Sequence, residues 1–147
     1  MDRRRLERIR VALGVDETGE RLSREHFGDS HAFLIYDVHR DGRVEFVERR
    51  PNSALDVEER EHGDPEKFRA VANLLSDVDV FLAARMGPNY LRIKGSGRYP
   101  MVIGFASVDE ALRALLDRID EVFSEVERLR QRPGPAGSEG GETTYPS

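Results

Sequence analysis

The chain has 147 residues, of which 35% are charged and 38% hydrophobic, with a formal net charge of -5 and no cysteine. That length suits one domain with a core of its own. The acidic balance argues against general binding to nucleic acid or an anionic membrane surface. The lack of cysteine excludes disulfides, thiolate metal sites and cysteine nucleophiles, and fits a reducing compartment.

In chain order, Arg8 to Val15 comes first, with Ile9, Val11, Leu13 and Val15 alternating against smaller or polar residues, which is a strand signal. A polar loop runs from Asp16 to Ser30, followed by a nearly continuous apolar strand from His31 to Val38. His39-Arg40-Asp41-Gly42 reads as a hairpin turn, with Gly42 free to take positive φ. Arg43 to Arg49 reads as a third strand nearer an edge, ended by Pro51.

After a charged loop from Pro51 to Gly63, Asp64-Pro65 supplies a cap and a first-turn proline for a helix through Leu75. Val78 to Ala84 is short, apolar and β-branched, as a buried parallel strand should be. Arg85 to Arg98 is a basic, glycine-punctuated segment that reads as irregular, and Pro100 to Phe105 is a last strand. Ser107-Val108-Asp109-Glu110 is a capping box. It opens one long helix with an apolar stripe at Val108, Leu112, Leu115, Ile119, Val122, Val126 and Leu129. The domain is expected to span residues 1–130, and the Pro-, Gly- and Ser-rich residues 131–147 are expected to be a disordered tail. No secretory signal and no apolar run of roughly 20 residues is present, so a soluble cytoplasmic protein without a membrane partner is expected.

Short connections make the first three strands an antiparallel meander, and the helix before the fourth allows parallel pairing. The simplest closed solution is an α/β fold with a mixed five-stranded sheet of order 3-2-1-4-5 and flanking helices, a ribonuclease H-like topology.

In such a sheet, ligands sit at the carboxyl ends of parallel strands. Three segments should meet there: the loop carrying His26-Phe27-Gly28, the segment Arg85-Met86-Gly87-Pro88-Asn89, and the turn after Gly104. Arg92, Lys94 and Arg98, around Gly95 and Gly97, add a local cationic cluster to an acidic chain, which points to an anionic ligand. Glycine amides could serve the same anion. His26 is the imidazole at that edge. His31 and His39 fall at opposite ends of one strand, His62 could meet an anion at a helix start, and no pair has zinc spacing. Asp16 follows the first strand, but the fourth ends Ala83-Ala84-Arg85 without an acid, against two-metal nuclease chemistry. No serine has a triad context or a nucleophile elbow.

Arg10-Val11-Ala12, then Ser23 through His26-Phe27-Gly28, then Ala32 to Val38, the segment Val78-Asp79-Val80 and Arg85 to Asn89 form an ordered set. The set resembles the dinitrogenase iron–molybdenum cofactor biosynthesis family over roughly residues 7 to 120. The resemblance implies a non-enzymatic binder or carrier of the iron–molybdenum cofactor or a related metal–sulfur cluster, with a cofactor donor or recipient protein as a possible partner; it leaves open whether the chain serves nitrogen fixation. It also implies a role for His26 in or near the ligand site, where it is the expected metal ligand, and a contribution from the loop after the fourth strand. Where many relatives are glycine-rich, this chain has His62-Gly63-Asp64 and Ala83-Ala84-Arg85.

The site expected from residues and resemblance together is His26, Phe27, Gly28, Arg85, Met86, Gly87, Arg92 and Lys94. The alternative is a cofactor-free interaction module. In that reading Val122, Val126 and Leu129 lie beyond the sheet and pair with a second copy or a partner.

Overall fold

The computed structural model describes residues 5–56 and 65–131. Five strands, β1 (Arg8–Val15), β2 (Ala32–His39), β3 (Val44–Pro51), β4 (Val80–Ala83) and β5 (Tyr99–Val102), form one sheet of order β3-β2-β1-β4-β5. β1 and β2 pair antiparallel along their full length, from Arg8 opposite His39 to Val15 opposite Ala32. β3 continues the meander, while β1–β4 and β4–β5 are parallel. The expected mixed sheet and its strand order are therefore present. Gly42 takes φ 99° in the β2–β3 turn, a conformation that disfavours any residue with a Cβ.

Alternation along the strands builds two cores. Ile9, Val11, Leu13 and Val15 of β1 face α3 (Val108–Asp117) and α4 (Ile119–Gln131), together with Val80 and Leu82 of β4. Ala12, Phe33, Ile35 and Phe81 face the other way, toward Val71 and Leu75 at the end of α1 (Pro65–Leu74) and Ile93 of α2 (Tyr90–Gly95). Each of these large side chains, fully buried, contributes about 1.5–3 kcal/mol.

Two expectations change. The segment from Arg85 to Arg98 is not irregular throughout, because residues Tyr90–Gly95 form a helix that seats Ile93 in the core. The C-terminal helix is not continuous either. It breaks at Arg118, whose φ of -120° and ψ of 28° leave the helical region, and restarts as α4. A straight helix would carry the end of the stripe past the sheet. The bend returns it, so Val122 and Val126 are 0% exposed and Leu129 is 3% exposed within the chain's own core. The apolar residues assigned to a dimer or partner are thus already used, and the interaction reading loses its motivating feature. Phe123 is also fully buried, with the Arg40 guanidinium 4.6 Å above its ring. Glu127 accepts hydrogen bonds from Arg40 at 2.6 Å and from the Leu6 amide at 2.9 Å.

The capping box forms as expected. Ser107 Oγ accepts from the Glu110 amide at 3.0 Å, and the Ser107 amide donates to Glu110 Oε1 at 2.9 Å. His62, the Asp64 cap and residues 132–147 of the expected tail lie outside the described residues, while Gln131, expected to open that tail, ends α4. Among the described residues, no helix is long and apolar enough to cross a membrane.

Candidate functional site

The site is built at the carboxyl edge of β1 and β4 on the face covered by α1 and α2. The loop after β1 is pinned from several sides. The Ser23 amide donates to the Gly14 carbonyl at 2.9 Å, and the Leu22 amide to the Ala106 carbonyl at 2.9 Å. Phe27 turns inward, 3% exposed, stacked on Phe81 at 4.8 Å between centroids and tilted against Phe33 at 5.0 Å. The buried Asn52 amide donates to the carbonyls of Gly28 at 2.9 Å and Ser30 at 2.8 Å. A one-turn 3-10 helix at Phe27–Asp29 completes the segment. His26, immediately before this anchor, is therefore held in place by its neighbours.

The second half comes from the residues after β4. Ala83 and Ala84 are buried, and Arg85 is the first residue to emerge. Its Nη2 lies 3.0 Å from His26 Nε2, and its Nη1 donates to the Arg24 carbonyl at 3.4 Å. Gly87 lies against the imidazole so closely that a Cβ there would stand 2.8 Å from His26 Nδ1. Only glycine allows this approach without displacing the ring.

Beside the pair opens a cavity of about 60 Å³. Its apolar part comes from Phe27, Phe68, Val71, Phe81, Met86 and Ile93, and its polar part from His26, Asp29, Lys67, Asn89 and Tyr90. Lys67, from the first turns of α1, is ion-paired with Asp29. Its side chain is only 13% exposed, so this charge is fixed at the cavity rather than spread over the surface.

The eight expected site residues divide. His26, Phe27, Gly28, Met86 and Gly87 line the cavity, and Arg85 touches His26. Phe27 is foremost a core anchor. Arg92 and Lys94 do not line it but support residues that do. Arg92 Nη1 donates to Asn89 Oδ1 at 2.6 Å, and the Lys94 ammonium lies 5.8 Å from the Tyr90 ring centroid.

Arg98 leaves the expected cationic cluster. Its guanidinium donates to the carbonyls of Val78 at 3.2 Å and Ser76 at 2.9 Å, before the amino end of β4. The turn after Gly104 comes to the loop elsewhere, with Phe105 under the Arg24 guanidinium at 4.8 Å. His39 pairs with Glu45 at 2.9 Å, away from the site. Lys67, Asp29, Phe68 and Tyr90 are cavity residues that sequence reasoning missed. Asp29 and Lys67 had one usable signal, namely adjacency to the His26-Phe27-Gly28 loop and to a helix start.

Among the described residues, no three His, Cys, Asp or Glu side chains gather to hold a metal ion. A metal-bearing cargo at this place would find one imidazole, the Met86 side chain in the same cavity, the Arg85 guanidinium, and the Lys67–Asp29 ion pair. That donor set does not enclose a bare divalent ion.

A family model described as dinitrogenase iron-molybdenum cofactor matches residues 7–118. The chain belongs to the dinitrogenase iron-molybdenum cofactor family. The matched span runs from just before β1 to the break at Arg118, so both halves of the His26–Arg85 site fall within the family domain. Membership ties the chain to the handling of the cofactor for which the family is named. Among solved structures, the NMR structure of a NifB-like protein of the DUF35 family from Thermotoga is 22% identical. That match covers 77% of this chain and 88% of that one, with a TM-score of 0.49. No curated protein matches the chain.

Proposed function

We propose that this protein is a non-catalytic carrier for an anionic metal–sulfur cofactor, the iron–molybdenum cofactor or a related cluster, acting in cofactor biosynthesis or delivery in the cytoplasm. The observation that carries the reading is the 3.0 Å approach of Arg85 to His26 at the mouth of a cavity where two parallel strands end. One neutral ligand and fixed cations suit a polyanion that must later be released. Thiolates would hold such a cargo more tightly, and the chain has none. In this reading His26 ligates the cluster and Arg85 balances its charge, while Lys67 is held by Asp29 at the cavity wall. Arg92 and Lys94 extend the positive field along α2. The strand order fits the ribonuclease H-like class, used here as a scaffold rather than for hydrolysis.

The test is anaerobic reconstitution with a molybdenum–iron–sulfide precursor, followed by desalting and metal analysis. The wild type should retain molybdenum and iron, and His26→Ala should lose most of both. Retention by neither wild type nor variant, under conditions where a cluster-binding control protein retains metal, refutes the carrier role.

A further inference from the structure

We propose that Arg85 is a displaceable cap on the one nitrogen of His26 that can coordinate a metal. A guanidinium has five donor N–H groups and no acceptor. For Arg85 Nη2 to sit 3.0 Å from His26 Nε2, that nitrogen must present its lone pair. In this contact Nε2 is the acceptor, which leaves Nδ1 as the nitrogen that carries the ring's N–H. Gly87 packs on the Nδ1 side, where a Cβ would stand 2.8 Å from that nitrogen. Nε2 is thus the nitrogen that presents the lone pair, and the guanidinium occupies it.

The loop fixes the other participants. Phe27 and Asn52 anchor the segment that carries His26, so the ring has little freedom to turn away. Arg85 is the exposed member, and its further bond to the Arg24 carbonyl is long at 3.4 Å. The arginine is the part that can swing. The inference rests on the carrier reading for what replaces the cap, namely an anionic sulfide-bearing metal centre. Its metal takes the Nε2 lone pair, and its sulfides accept the N–H groups that Arg85 has withdrawn from His26. One lone pair and one guanidinium change partners together, with no proton lost or gained. On release Arg85 returns to Nε2, and an empty carrier then presents no open imidazole to stray metal ions.

The test needs no cluster. Diethyl pyrocarbonate acylates neutral imidazole nitrogen, and peptide mass spectrometry reads His26 against the exposed His31 within the same molecule. At pH 8 an ordinary imidazole is neutral, so protonation does not confuse the comparison. Arg85→Ala should raise the His26-to-His31 labelling ratio about two- to ten-fold, the range expected for losing one hydrogen bond. Nitrogen-15 chemical shifts should show wild-type His26 protonated at Nδ1, and that preference should weaken in Arg85→Ala. An unchanged labelling ratio, or wild-type His26 protonated at Nε2, overturns the cap. Neither readout involves metal, so such a failure is distinct from failed cluster retention, which concerns the carrier reading alone.

Discussion

Gly14 and Ser30 offer a quantitative check on how the site loop is seated. A Cβ on Gly14 would stand 2.2 Å from Ser30 Oγ, 3.1 Å from Ser30 Cβ and 3.2 Å from Phe27 Cδ1. Ser30 and Phe27 are both buried, at 0% and 3% exposure, so neither can yield into solvent. Overpacking of this kind costs about 1–3 kcal/mol. Replacing glycine where the backbone tolerates alanine returns about 0.4–1 kcal/mol from the unfolded chain, so Gly14→Ala should lose a net ~1–2 kcal/mol. Ser30 Oγ has no hydrogen-bond partner among the described residues. Ser30→Ala alone removes a desolvated hydroxyl and should be neutral or slightly stabilising. The double variant keeps the 3.1 Å carbon approach but loses the 2.2 Å one, and should recover at least half of the loss. Urea unfolding is the assay. At an m-value of about 2 kcal/mol/M, within the usual range for urea, Gly14→Ala should lower the midpoint by roughly 0.5–1 M. A wild-type midpoint for Gly14→Ala, or a double variant no better than the single, refutes the packing argument.

Gly87→Ala should leave stability within about 1 kcal/mol, because the ring it displaces is only half-buried. It should nonetheless push His26 off its position and reduce cluster retention in the desalting assay. Phe123→Ala should cost about 3–5 kcal/mol in urea unfolding. Truncation after Asp120 should abolish cooperative unfolding by circular dichroism, because Val122, Phe123 and Val126 are core; a folded truncated chain with altered mass in light scattering would restore the dimer reading. Acid stability should depend on two carboxylates. Hydrogen bonds from Arg10 hold Asp37 below the usual carboxylate range, and those from Arg50 and Arg10 hold Asp77 lower still. Groups with depressed native pKa values stabilise the fold above their unfolded pKa of about 3.9. That contribution is lost as pH falls through the native values. These groups should leave the urea midpoint flat from pH 5 to 8 and lower it below about pH 4, with a shallower fall in Asp77→Asn.

The sheet was legible because its strands declare themselves by alternation and by the two connection types that decide antiparallel or parallel pairing. Once β1 and β4 are adjacent and parallel, His26 and Arg85 must approach one edge, which is why that pair was within reach of sequence reasoning. Helix α2 was not, because its six residues, which follow Pro88-Asn89 and run into Gly95-Ser96-Gly97, carry too little periodicity to outweigh the breakers around them. Arg98 was grouped with Arg92 and Lys94 by nearness in sequence. A short helix followed by a tight turn carries it back to the start of β4. The unbroken 4,3 stripe concealed the kink at Arg118, since a bent helix and a straight one can share one apolar pattern. Lys67 and Asp29 were hidden because they meet across 38 residues of chain.

The claim that His26 is the protein ligand of a metal–sulfur cargo can be measured at the metal itself. X-ray absorption at the molybdenum and iron edges, on protein loaded and desalted without air, should show a nitrogen scatterer that disappears in any residual cluster bound to His26→Ala. Identical sulfur- and oxygen-only coordination in wild type and variant would contradict it.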